Sequence, residues 1–145
     1  MKYATNRVHE DIYYILSIIS KGLQIMVNSN ILIVEDDFIV AIDLKQHLEK
    51  IGYNVLDITD NGKDAIHKTE EINPDVILMD ISLKGDMDGI DAGKQIHEQY
   101  DVPLIYLTGY FDEKTLKRAN NTEPYGFIVK PFMDKEIQNL LGTVF

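Results

Sequence analysis

From residue 31 onward, short apolar runs alternate with segments whose apolar residues recur at helical spacing. Ile31-Leu32-Ile33-Val34 is a continuous, largely β-branched run that ends in the acids Glu35-Asp36-Asp37. A run that is apolar at every position predicts a strand buried on both faces. Residues Phe38 to Ile51 follow, with Ile42, Leu44, Leu48 and Ile51 at mostly helical spacing and Gly52 as the expected stop. Asn54 to Thr59 is the second expected strand, carrying Val55, Leu56 and Ile58, and Lys63 to Glu71 is a helix stopped by Asn73-Pro74. The third apolar run, Val76-Ile77-Leu78-Met79, ends at Asp80, and a glycine-containing loop leads into a helix from Gly89 to Gln99. Val102 to Leu107 predicts a fourth strand ending at Thr108, and Asp112 to Asn120 a helix with Asp112 as its N-cap. Gly126 to Val129 predicts a short fifth strand ending at Lys130, after which Asp134 is expected to cap a last helix carrying Ile137, Leu140 and Leu141.

Five β-α units with fully apolar strands imply a parallel sheet covered by helices on both faces. Right-handed crossovers leave few topologies for such a sheet. The expected fold is therefore α/β and flavodoxin-like: a five-stranded parallel sheet in the order 2-1-3-4-5, with an extra N-terminal helix. The order is that of a common doubly wound fold, since spacing alone does not fix it. No internal repeat and no low-complexity tract interrupts the pattern.

The N-terminal segment has its own pattern. Ile12, Leu16, Ile19, Leu23 and Met26 are spaced 4, 3, 4 and 3 residues apart, and Ile15 and Ile18 widen the stripe. Gly22 weakens the helix, and two heptads are too few to define a coiled coil. Residues 1–28 are read as a helical extension and 29–145 as the main domain. Three uses of the extension stay open: dimerisation through residues 8–27, packing on its own domain, or a dispensable stretch ahead of a true start at Met26. An apolar stripe left in water is costly, which favours the first two.

Composition narrows the function classes. A chain of 145 residues, 45% of them apolar, is the size of one compact domain with a real core. The absence of cysteine excludes disulfides, thiol chemistry and thiolate metal sites. His9, His47, His67 and His97 lie far apart with no close ligand spacing, so a histidine metal site is disfavoured. The net charge of −10 opposes contact with a phosphate backbone, so direct nucleic-acid binding is not expected. Much of that charge needs no explanation beyond solubility. Residues 12–27 form the longest apolar stretch, but Ser17, Ser20, Lys21, Gly22 and Gln24 interrupt it, and it falls short of the ~20 apolar residues of a membrane span. Glu10 and Asp11 precede it and no small-residue cleavage site follows, so no secretory signal is read and a cytoplasmic location is expected.

The chemistry collects at strand ends. In an open α/β sheet the reactive crevice lies beyond the carboxyl ends of the strands. Here those ends carry Glu35-Asp36-Asp37, Asp80, Thr108 and Lys130. Each has an ordinary explanation when taken alone: Asp36 or Asp37 as a helix cap, Asp80 as a turn cap, Thr108-Gly109 as a turn, Lys130-Pro131 as a surface pair. Four such residues at four strand ends are hard to reconcile with coincidence. Clustered carboxylates raise one another's pKa unless a cation lies among them, and Mg²⁺ suits oxygen ligands with several waters retained. A metal beside a lysine is also what an incoming phosphoryl group needs, and a carboxylate can be the nucleophile that accepts it. Thr108 is placed to donate its hydroxyl to a phosphoryl oxygen.

These segments resemble the response-regulator receiver family of two-component signal transduction. Ile31 to Asp37 (ILIVEDD) is similar to that family's first strand and acidic pair, and Pro74 to Asp80 (PDVILMD) to the strand that delivers its phosphoacceptor. Leu107-Thr108-Gly109 resembles the switch hydroxyl followed by a small residue, and Val129-Lys130-Pro131-Phe132 the invariant-lysine motif with its usually cis proline. The likeness covers roughly residues 30–142. It implies that Asp80 is phosphorylated and binds Mg²⁺ together with Asp36, Glu35 through water, and the backbone carbonyl of Ser82. It implies that Thr108 and Lys130 grip the phosphoryl oxygens, that Gly109 keeps access open, and that Phe127 is the switch aromatic. The implied protein is a single-domain response regulator that takes its phosphoryl group from a histidine kinase or phosphotransfer protein. It would catalyse only its own phosphorylation and slow dephosphorylation. With no output domain after Phe145, the signal is expected to leave through contact with a downstream protein, on the surface of the last two helices and the fifth strand. Two departures stand out. The loop ISLKGDMDG after Asp80 carries Lys84-Gly85-Asp86 in place of the commoner, one-residue-shorter Met-Pro form, which changes the partner surface. Phe127 lacks the tyrosine hydroxyl often found there, so an inward switch must work by packing.

Other classes fit less well. A haloacid-dehalogenase phosphatase needs a second acid two residues after its nucleophilic aspartate, where this chain has Ser82. A nucleotide or flavin binder wants a glycine- or hydroxyl-rich loop after the first strand, and Glu35-Asp36-Asp37 has the opposite character. The alternative to a phosphoacceptor is a phosphorylation-independent interaction module of the same fold, against which the complete acid, hydroxyl and lysine set argues.

Overall fold

The computed structural model describes residues 8–19, 30–109 and 112–145. Residues 8–19 are helical (α1), and every one of them is exposed. The domain then alternates strictly: β1 Asn30–Val34, α2 Phe38–Lys50, β2 Asn54–Thr59, α3 Gly62–Ile72, β3 Val76–Asp80, α4 Gly89–Gln99, β4 Leu104–Thr108, α5 Glu113–Asn120, β5 Gly126–Val129 and α6 Asp134–Val144. All strand pairs are parallel, and the order is β2-β1-β3-β4-β5, as expected.

Period-two alternation sends each strand's side chains to opposite faces, and both faces are buried. Leu32, Val34, Ile77, Met79 and Tyr106 pack with Ala65, Ala92, Ile96 and Ala119 from α3, α4 and α5. Ile31, Ile33, Val76, Leu78, Ile105, Leu107 and Ile128 pack with Ala41, Leu44, Leu48, Ile137 and Leu141 from α2 and α6. The register fixes what lies beyond the strands. Val34 pairs with Met79, Asp80 with Leu107, and Thr108 with Val129. Glu35, Asp80, Thr108 and Lys130 therefore leave the sheet at one edge.

Helix boundaries follow local chemistry. Asp37 caps α2, accepting from the Ile39 and Val40 amides at 3.0 and 3.3 Å. Asp112 caps α5, accepting from the Thr115 amide at 2.6 Å. After α2, Gly52 takes φ of +102°, a conformation that glycine adopts without penalty. Three details differ from the expected elements. Leu56 is skipped where β2 pairs with β1, since Ile31 faces Val55 and Leu32 faces Asp57, and its side chain is exposed. β4 begins at Leu104, past the Val102-Pro103 pair, because proline offers no amide to a ladder. Asp134 does not cap α6: Met133 is the N-cap and makes no side-chain cap bond. The Asp134 carboxylate turns instead to α2, pairing with His47 and, at 3.9 Å, with Lys50.

The amphipathic N-terminal helix exists over residues 8–19, but its continuation through Leu23 and Met26 lies outside the described residues, as do Asn28 and Ser29. Ile12, Ile15, Leu16 and Ile19 remain about half exposed, so this stretch does not pack on its own domain.

Candidate functional site

Glu35, Asp36 and Asp80 each offer a carboxylate oxygen, and these oxygens lie within 4.8 Å of one another. Lys130 reaches in from the end of β5. Its Nζ donates to Glu35 Oε2 at 2.8 Å and sits 3.5 Å from Asp80 Oδ2. Thr108 is buried at the adjacent strand end. The four predicted strand ends thus converge, and of the two aspartates after β1 it is Asp37 that turns away to cap α2.

The electrostatics of the cluster are those of buried acids beside one cation. Glu35 is 2% exposed and Asp80 4%. Burial pushes the Glu35 carboxyl above its ordinary value; the Asp80 charge adds to the rise, while the hydrogen bond and charge of Lys130 oppose it. Burial works to lower the Lys130 ammonium, but its bond to Glu35 and the charges of Asp80 and Glu35 outweigh that and raise it. Buried acids outnumber the lysine, so the site favours an added cation.

The remaining lone pairs fit such a guest. Glu35 already receives Lys130 on Oε2 and the Asp37 amide on Oε1 at 3.2 Å, which leaves it suited to contact through water. Asp36 Oδ2 takes the Lys84 amide at 3.0 Å, and Asp80 Oδ1 takes the Ser82 amide at 3.0 Å. Beyond these bonds each of the three carboxylates still offers an oxygen to the shared point between them. A set made only of hard oxygen donors matches Mg²⁺ chemistry.

Two supports of this site were not expected from the sequence. The variant loop closes onto it, because the Lys84 amide holds Asp36 while Ile81 and Leu83 anchor the loop in the interior. Gly85 turns the loop with φ of +105°. Gly89, the first residue of α4, lies so close to β3 that a Cβ there would sit 1.8 Å from the Asp80 carbonyl oxygen. Only glycine fits there, directly after Asp88, which caps α4. Phe127 is partly buried and lies against Tyr106, with ring centroids 5.9 Å apart. The Lys130-Pro131 bond is cis.

Comparison with known proteins agrees with this geometry. The response regulator receiver domain profile matches residues 31–142. The chemotaxis protein CheY of Thermotoga maritima is 32% identical over 115 residues, covering 79% of this chain and 95% of its own. The transcriptional regulatory protein PdtaR of Mycobacterium tuberculosis is 30% identical over 102 residues, 70% of this chain and 49% of its own. The chain spans about half the length of most of the curated relatives it matches. Among solved structures, the signal receiver domain of a modulated diguanylate cyclase from Desulfovibrio desulfuricans G20 superposes with a TM-score of 0.77 at 32% identity, covering 81% of this chain and 93% of that one. With the profile spanning most of its length and the acidic cluster, Thr108 and Lys130 gathered at one sheet edge, this chain belongs to the response regulator receiver domain family.

Proposed function

We propose that the protein is a Mg²⁺-dependent phosphoacceptor in which Asp80 takes a phosphoryl group from a histidine kinase or phosphotransfer protein. The observation that carries this reading is the convergence of Glu35, Asp36 and Asp80 on one point with Lys130 bridging two of them. A carboxylate oxygen of Asp80 attacks phosphorus, the P–N bond to the donor imidazole breaks, and the electron pair leaves with the ring nitrogen. Asp36, Asp80 and the Ser82 carbonyl would hold Mg²⁺, with Glu35 acting through water. The bound ion would supply positive charge against the phosphoryl oxygens. Lys130 supplies a second positive charge, and the Thr108 hydroxyl donates to a phosphoryl oxygen.

The surroundings suit a donor protein. Phe38 is 73% exposed and Ile39 80% exposed beside the acidic cluster, an apolar rim at the mouth of a polar site. A groove of about 520 Å³ lined by Ile39, Val40, Asp43, Lys130, Pro131 and Phe132 continues that rim. No described helix is long and apolar enough to cross a membrane. A kinase-fed phosphoacceptor of this kind would act in the cytoplasm. The output is contact with a downstream protein, with Thr108 and Phe127 as the moving parts. Catalysis is confined to the protein's own phosphorylation and slow dephosphorylation. The exposed stripe of α1 serves a homodimer through residues 8–27.

The test is phosphorylation by acetyl phosphate with Mg²⁺, followed by intact mass. One phosphoryl group is expected on the wild type and none on Asp80→Asn. Equal labelling of the two proteins overturns the assignment.

A further inference from the structure

The loop that follows Asp80 ends in a capping box. Asp88 Oδ1 accepts the Asp91 amide at 2.8 Å, and Asp91 Oδ2 accepts the Asp88 amide at 3.2 Å. Each carboxylate has one oxygen left, and both are taken by a single side chain from α5. Arg118 Nη1 donates to Asp88 Oδ2 at 3.1 Å, and Nη2 donates to Asp91 Oδ1 at 3.3 Å. All four oxygens of the box are thus committed, and the box itself aims two of them at the guanidinium fork.

The two helices joined by this clasp are anchored very differently. The start of α4 is locked to the phosphoacceptor strand: Gly89 presses on the Asp80 carbonyl, its amide donates to the Ile81 carbonyl at 3.0 Å, and Gly89, Ile90, Ala92, Gly93 and Ile96 are buried. α5 has eight residues, of which Ala119 alone is buried. At the end of α5, Thr122 holds the Tyr106 hydroxyl at 2.7 Å, and Tyr106 lies against Phe127. α5 is the next element in the chain after β4, which ends at Thr108. It is therefore a lightly anchored helix between the two residues that would report the state of Asp80.

Resting on the phosphoacceptor reading of Asp80, we infer that Arg118 is a positioning residue whose clasp on Asp88 and Asp91 holds α5 in the orientation that goes with the free Asp80 carboxylate. Moving Thr108 toward a phosphoryl group drags α5 against this clasp, so the clasp opposes the switch. An interaction made more strongly in one of two states biases the equilibrium by that difference, and a ligand favouring the other state binds more tightly once the interaction is gone.

The experiment uses the full chain and beryllofluoride with Mg²⁺, a reversible phosphoryl analogue whose affinity is an equilibrium quantity. Arg118→Met removes the charge while keeping the side-chain length. Asp88→Asn removes the clasp charge but keeps a strong N-cap, which protects the fold. Both variants should show α5 amide resonances displaced, without ligand, along the line from the free to the bound wild-type positions. Both should bind beryllofluoride about two- to fivefold more tightly, the range set by exposed ion pairs. Arg118→Lys should fall between Met and wild type, because it restores the charge without the fork. A purely structural role would lower stability without moving resonances along that line. Wild-type affinity in both charge-removing variants, weaker affinity, or shifts off the line overturns the inference. If the wild type itself does not bind the analogue, the Asp80 reading falls and the clasp's role falls with it.

Discussion

Neighbouring aspartates at the end of β1 have separate duties. Asp37 satisfies the first amides of α2, whereas Asp36 faces Asp80 and is held by the Lys84 amide. Asp36→Ala should therefore weaken Mg²⁺ binding far more than Asp37→Ala, read from amide shifts in a Mg²⁺ titration. Asp37→Ala should instead cost about 1 kcal/mol of stability, the worth of an N-cap. Equal loss of Mg²⁺ affinity in the two variants contradicts this division. Lys130 also has two roles, because it neutralises the buried Glu35 as well as facing Asp80. A lysine that only read the phosphoryl group would be replaceable without harm to the fold. The buried pair predicts that Lys130→Met loses about 2 kcal/mol in urea unfolding at neutral pH, less than a fully buried pair because its side chain is 25% exposed. Tyr106 gives the pH dependence. Burial pushes its hydroxyl up to about 12 from an ordinary 10.0. The protonated form is the one that folds, so its contribution is complete below pH 10 and is lost as pH rises through about 12. Tyr106→Phe should flatten the fall in stability over that interval.

Each element was legible to the extent that its signal is local. The runs 31–34 and 76–79 are short, rich in β-branched residues and apolar at every position, as suits a strand covered on both faces, and the polar residues that end them named the site. Features that depend on chain closure were not legible. Nothing near Lys84 says that its amide will meet Asp36, 48 residues away, or that Arg118 will meet Asp88 across 30. Leu56 reads as one more apolar strand residue, and its exposure follows from an irregular register at an edge strand. Asp134 precedes an apolar helical pattern as a cap should, but its carboxylate is drawn to the His47 ring and the Lys50 ammonium on α2 instead of the cap position. α1 is the element whose partner the domain does not supply. Leaving its stripe in water forfeits roughly 1.5–3 kcal/mol per large apolar side chain, and a free helix this short is marginal. Sedimentation of the full chain should show a dimer, and a chain starting at Met26 a monomer. Two monomers would rule out association through this helix.

Across the molecule as a whole, the parallel sheet makes one edge reactive. The register aligns the ends of β1, β3, β4 and β5, so residues far apart in sequence converge without any single loop having to build the site. α4 and α5 then connect that edge to the outer surface through Gly89, Arg118 and Tyr106. All of this turns on one carboxyl among the 24 acidic residues being the acceptor. Trapping the product where it forms decides that point. After acetyl phosphate and Mg²⁺, borohydride reduces an aspartyl phosphate to homoserine, and peptide mass spectrometry locates the change. Homoserine is expected at position 80 in the wild type, with none in Asp80→Asn. Homoserine at another position, or a phosphorylated protein in which residue 80 remains aspartate, would contradict the assignment of Asp80.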